Sequence, residues 1–155
     1  MAKQSKIRII PLGGIDEIGK NITVVECGND IIVVDCGSTF PKEDMLGIDL
    51  VIPDASYLVA NKDRIRGYVF THGHEDHIGA TPYVLDQAPA PIFGSRLTLA
   101  LIENKLRERH INGIESIPVE SRQIVQLGCF SVQFIRVNHS IAGAYAVAIT
   151  SPAGT

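Results

Sequence analysis

Val and Ile crowd two neighbouring stretches, 21–27 and 30–36, on either side of Gly28-Asn29, and β-branched arms around a two-residue turn predict a hairpin. Before it, 6–12 reads as a first strand. Gly13-Gly14 then opens a loop, read as a tight turn beside a site because neither G-x-G-x-x-G nor P-loop spacing is present. From 37 to 54 the pattern is irregular, broken by Pro41, Gly47 and Pro53, after which a short helix is predicted at 55–61 and a short buried strand at 67–71. Residues 78–86 read as a single helix with Pro82 tolerated in its first turn. A strand at 91–94 leads to Ser95, placed to cap a longer helix over 96–109 in which Leu97, Leu101, Ile102 and Leu106 recur at helical spacing. Lys105, Arg107 and Arg109 gather near its end, where they complement the helix dipole rather than grip a phosphate, and His110 beyond is read as satisfying terminal carbonyls. A second hairpin, 124–127 and 130–137 around Gly128-Cys129, alternates Phe130, Val132 and Phe134, and 145–150 continues its sheet. These elements describe an α/β chain. Turn chemistry at Ser151-Pro152-Ala153-Gly154 is followed by no returning strand before Thr155, so the chain is expected to be cut short.

With 155 residues, 45% hydrophobic and 20% charged, the chain fits one soluble domain or part of a larger one. Its apolar runs, such as 31–34 and 142–150, are far shorter than the ~20 residues of a membrane helix, so no membrane partner is expected. Lys3 and Lys6 precede a strand-like run rather than the apolar core of a signal peptide, which makes a cytoplasmic location the expectation. The sequons at Asn21 and Asn138 are therefore read as coincidental, with Asn138 shaping a loop instead. A net charge of -3 argues against a surface coated for capture of nucleic acid, although bound dications or a basic groove would supply positive charge locally. Cys27, Cys36 and Cys129 form no C-x-x-C pair. The hairpin register sets Cys27 opposite Asp30 and Cys36 opposite Asn21, roughly 20 Å apart at ~3.3 Å per residue, so these two do not bridge and reduced thiols are expected.

The chemistry concentrates in Thr71-His72-Gly73-His74-Glu75-Asp76-His77, directly after an apolar run. A lone loop histidine is usually a surface or hydrogen-bonding residue; His72, His74, Asp76 and His77 together have the types and spacing of metal ligands. On extended backbone His72 and His74 point to one side and can bind one ion, while Asp76 and His77 can serve a second. Two ions ~3.5–4 Å apart lower the pKa of a shared water and polarise a carbonyl or phosphoryl oxygen, which makes hydrolysis the reaction class. Glu75, pointing the other way on an extended chain, is placed outside the ligand set, and His139 follows a later strand-like run.

This loop resembles the H-x-H-x-D-H signature of the metallo-β-lactamase superfamily. The segments 12–21 (Leu-Gly-Gly-Ile-Asp-Glu-Ile-Gly-Lys-Asn), Phe40-Pro41 with Met45-Leu46-Gly47-Ile48-Asp49, 71–79 and Asn138-His139-Ser140 together resemble the N-terminal part of the ribonuclease J family, over essentially the whole chain. The resemblance implies an α/β metallo-β-lactamase fold, an αββα sandwich of mixed sheets, with 1–155 forming its N-terminal part and the β-CASP and C-terminal domains lying outside this chain. It implies a bacterial, metal-dependent ribonuclease with 5′-to-3′ exonuclease and endonuclease activity in mRNA decay and rRNA maturation. Single-stranded RNA is the implied substrate, two divalent ions, zinc by family habit, the cofactors, and a homo-oligomer or a hetero-oligomer with a paralogue the assembly. By position, His72, His74 and His139 resemble the ligands of one metal and Asp76 and His77 those of the other, with Asp76 and His77 also catalytic. Asp35, ending the 31–34 strand, matches the early aspartate that supports the site from behind. The family's bridging aspartate and last histidine ligand would follow Thr155, so the isolated chain is expected to bind metal weakly and to lack normal nuclease activity. Two other readings are a superfamily hydrolase acting on a thioester or lactone, which need not keep the Met45–Asp49 or Asn138–Ser140 segments, and a non-catalytic paralogous subunit, against which five intact ligands argue.

Overall fold

The computed structural model describes residues 6–155; Lys3 lies outside the described residues. Nine strands, Ile7–Gly13 (β1), Ile22–Cys27 (β2), Asp30–Val34 (β3), Ile65–Val69 (β4), Ile92–Gly94 (β5), Ser116–Pro118 (β6), Ile124–Leu127 (β7), Phe130–Arg136 (β8) and Tyr145–Thr150 (β9), make two sheets. The larger runs β1-β2-β3-β4-β5-β6 in chain order, antiparallel from β1 to β3 and parallel from β3 to β6. The smaller is the antiparallel β7-β8-β9. Helices Ser56–Ala60 (α1), Glu75–Ile78 (α2), Thr81–Gln87 (α3) and Arg96–Glu108 (α4) supply the remaining layer.

Strand periodicity sorts the apolar residues into two cores. Ile22, Val24, Ile31, Val33 and Tyr68 point to the helices and pack with Leu58, Val84, Leu85, Leu99 and Ile102. Their alternates Val25, Cys27, Ile32, Val69 and Phe93 point the other way, onto Phe130, Val132, Phe134 and Tyr145 of the smaller sheet. Strands β3 and β4 are thus covered on both faces, which explains why they read as continuous apolar runs. Among the described residues helices cover one face of the larger sheet only, so three layers, α, β and β, are present, and the second helical layer of an αββα sandwich is not among them.

The first hairpin keeps the register read from its turn: Cys27 pairs with Asp30, and Gly37 donates to the carbonyl of Asn21 just beyond the ladder. All three cysteines are free. Ser95 caps α4, its hydroxyl accepting from the Thr98 N–H at 3.2 Å.

Three departures from the elements read in the sequence appear. Residues 78–86 are not one helix: α2 begins inside the histidine loop, at Glu75, and α3 starts afresh at Thr81 with Pro82 in its first turn. Run through 82, a single helix would lose its bond to the Ile78 carbonyl, because proline lacks an N–H and its ring clashes there. Second, β6 is a three-residue edge strand ending on Pro118, too short to show a period. Third, His110 ends α4 through its backbone, at φ 59 with its N–H on the Arg107 carbonyl, and not through its ring.

Candidate metal centre

Backbone path decides which side chains meet. β3 ends at Val34, and Asp35 turns into the left-handed region at φ 59, a conformation Asp tolerates better than most side chains. That turn carries its buried carboxylate across to the segment leaving the neighbouring strand β4. Oδ1 accepts from the Thr71 N–H at 2.8 Å, and Oδ2 accepts from the Thr71 hydroxyl at 2.7 Å and pairs with His77 Nδ1 at 2.7 Å.

These bonds fix two imidazoles. With Nδ1–H directed at Asp35, the neutral His77 ring keeps its lone pair on Nε2. The Thr71 hydroxyl spends its one proton on Asp35, so at 3.0 Å from His72 Nδ1 it accepts, which places the His72 proton on Nδ1 and frees its Nε2 as well. Asp35 therefore orients His77 directly and His72 through Thr71. Burial pulls the His72 pKa down to about 4, helped by the neighbouring His77, His139 and His74, so the ring is neutral near pH 7. His77 moves the other way: burial opposes its charge, but the Asp35 hydrogen bond and the charges of Asp35 and Asp76 raise its pKa.

Extended backbone from His72 to His74 then brings two rings together, and the loop after β8 delivers the third. His139 Nε2 lies 3.1 Å from His72 Nε2 and 3.2 Å from His74 Nδ1. A single ring proton cannot bridge both contacts. Nitrogens bound tetrahedrally to zinc at 2.0–2.1 Å lie about 3.3 Å apart; the two contacts of His139 match that separation, and all three donors lie within 4.8 Å of one another, close enough to converge on one small cation. His72 is buried, His74 half-buried and His139 exposed, leaving the group open on one side.

Asp76 and His77 stand beside this trio on the first turn of α2. Asp76 Oδ2 is 3.4 Å from His77 Nε2, and the rings of His72 and His77 are 4.1 Å apart between centroids. Glu75 corrects the extended-chain reading: it is helical, and its carboxylate pairs with Lys105 at 2.7 Å, tying α2 to α4. Lys105 is thus held by a carboxylate as well as placed near the end of its own helix. Sequence reasoning gave no role to Thr71 or Asn21, although the hairpin register, which sets Asn21 across from the end of β3, was the signal for the second.

A profile of the metallo-β-lactamase superfamily matches residues 15–133. The chain belongs to that superfamily. Within the metallo-β-lactamase superfamily it is 43% identical over 153 residues to ribonuclease J 2 of Staphylococcus aureus (strain NCTC 8325 / PS 47), a match covering 98% of this chain and 28% of that protein. Ribonuclease J 2 of Staphylococcus saprophyticus is 40% identical over the same shares of each chain. The chain therefore spans 28% of the length of these relatives. Among solved structures, the metallo-β-lactamase fold protein YhfI from Bacillus subtilis superposes with a TM-score of 0.62 at 18% identity, covering 96% of this chain and 58% of that one. A protein of unknown function from Enterococcus faecalis V583 gives 0.67 at 19% identity, covering 95% and 41%. These likenesses establish the metallo-β-lactamase fold.

Proposed function

We propose that the protein to which this chain belongs is a metal-dependent ribonuclease that hydrolyses RNA phosphodiesters, acting as a 5′-to-3′ exonuclease and as an endonuclease in mRNA decay and rRNA maturation. The observation that carries this reading is the 43% identity to ribonuclease J 2 across 98% of the chain, with His72, His74, Asp76, His77 and His139 all in place. The donor set fits a pair of divalent ions, zinc first among them: His72, His74 and His139 would hold one, and Asp76 and His77 the other. Bound there, such ions polarise a phosphoryl oxygen and lower the pKa of water.

The chain's own residues do the rest. His72, kept neutral by burial, offers a lone pair and no competing proton. Asp35 and Thr71 hold the His77 and His72 rings at fixed orientations, so little reorganisation accompanies binding. Asp76, half-exposed at the mouth, accepts a hydrogen bond from the attacking water and holds it in line with phosphorus. The open side at His139 admits a strand of single-stranded RNA, and because the positive charge comes with the ions, a net charge of -3 is no obstacle. A cytoplasmic location, and assembly with itself or with a paralogue, complete the proposal; no helix among the described residues is long and apolar enough to cross a membrane.

Cleavage of an end-labelled single-stranded RNA tests it. We expect chelator-sensitive cleavage by the protein carrying this chain, and H77A is expected to lower it by at least about 100-fold while leaving the fold intact, because the backbone bond from Cys36 to the His77 carbonyl that holds α2 does not depend on the side chain. Comparable turnover by H77A would refute the assignment, and preferential hydrolysis of a thioester would move the protein to another branch of the superfamily.

A further inference from the structure

Asp76 and His77 share a neighbour with no role so far, Asn21. Its Nδ2 donates to the Asp76 main-chain carbonyl at 3.1 Å and to Asp76 Oδ2 at 3.3 Å, and it faces His77 Nε2 at 3.4 Å. An amide nitrogen carries two hydrogens and accepts nothing. Turned by half a rotation, the amide would set its oxygen against a carboxylate, a carbonyl and a ring lone pair, so the donor orientation is the one these three acceptors select. With two hydrogens for three acceptors, one N–H goes to the main-chain carbonyl and the other is shared between Asp76 Oδ2 and His77 Nε2, the two atoms that would hold a cation.

Asn21 is itself held from several sides. Its own N–H donates to the Asp76 carbonyl at 3.1 Å, its carbonyl accepts from Gly37 N–H at 2.9 Å, and Lys20 before it sits in the left-handed region at φ 51. Resting on the reading of Asp76 and His77 as ligands, we propose that Asn21 is a positioning residue for that pair: its amide sets the Asp76 carboxylate and keeps the His77 ring turned with Nε2 toward the site before any ion arrives. Its shortest side-chain bond runs to a main-chain carbonyl. When a cation takes Oδ2 and Nε2, the two longer contacts yield and that bond stays, so the amide anchors the turn rather than competing for the ligands.

The test begins without metal. In N21A the main-chain bond to Asp76 remains, so the variant is expected to fold, with a melting temperature lowered by about 2–4 °C for the loss of about one hydrogen bond. In nitrogen-15 histidine spectra of the chelated protein, taken where the His77 ring is neutral, the His77 Nε2 resonance is expected to move toward that of an unbonded, unprotonated ring nitrogen. N21D keeps the volume but replaces a donor by an acceptor, so the His77 Nε2 resonance is expected to lose its hydrogen-bonded position as it does in N21A; it also decides the matter should N21A not fold. In zinc calorimetry of N21A made in the protein that carries this chain, binding of one ion at His72, His74 and His139 is expected to be unchanged and that of the second to weaken about 10-fold to 100-fold. Unaltered His77 resonances in both variants overturn the proposal, as does a second ion that binds N21A as tightly as the parent or more so. Should the parent take no second ion, the ligand reading of Asp76 and His77 fails, while the spectra still decide whether Asn21 orients them.

Discussion

Thr71 does two jobs with one side chain and one backbone N–H: it satisfies Asp35 and it sets the tautomer of His72. Thr71→Val keeps the size and the N–H bond but removes the hydroxyl, so the His72 ring loses the partner that holds its proton on Nδ1. The expected outcome is a folded protein that melts several degrees below the parent, for the loss of the hydrogen bond to the buried Asp35 carboxylate, with zinc affinity down by about 10-fold, read by calorimetry. Histidines and acids with ligand spacing were legible in the sequence because few residue types bind metal and their density at 72–77 has no packing use. Thr71 and Asn21 were not, because a hydroxyl or an amide acquires its role only from what the backbone brings within 3 Å or so of it. Asp35 lay between these cases: its place at a strand end was readable, but its left-handed φ and its three bonds were not.

At the level of elements, the segment after β3 and the first turn of α2 press together more closely than side chains allow. Asn21 and Ser38 donate backbone N–H groups to the carbonyls of Asp76 and Glu75, Cys36 donates to His77 at 2.7 Å, and a Cβ built on Gly37 would lie 1.6 Å from the Asp76 carbonyl oxygen. Gly37→Ala must force these backbones apart. It is expected to cost about 1–3 kcal/mol or more in urea unfolding and to weaken zinc binding at the same time, since the displaced turn carries Asp76 and His77. Long elements with clean periods, the two hairpins and α4, were legible because many positions vote for one period. The start of α2 was hidden for the opposite reason: four residues make barely one turn, His74 before it offers no side-chain cap, and the helix exists because β3's exit holds its carbonyls.

Across the whole molecule, two cores on either face of one sheet leave the edge near β1 and α1 to polar fastening. Glu26, nearly buried, accepts from the Tyr57 hydroxyl and from Arg64 at 2.7 Å, with Arg8 at 3.5 Å. Burial works to raise its pKa, but the hydrogen bonds from Tyr57 and Arg64 and the charges of Arg64 and Arg8 outweigh it and lower the pKa from 4.5. A carboxyl depressed on folding contributes stability that is present above its unfolded value and is lost as pH falls through its folded one. The urea midpoint is therefore expected to fall as pH drops below about 4.5, and Glu26→Gln, less stable at neutral pH, should show a shallower acid limb over that range. Layering of this kind was legible only as a class, because alternation says that a strand has two faces without saying what covers each. The sheet also hides Cys36 completely, directly behind Asp35, where burial and the Asp35 charge push its thiol well above the usual range. An oxidant that enters the open mouth at His139 thus meets imidazole and carboxylate, while the nearest thiol, that of Cys36, is shut away behind them.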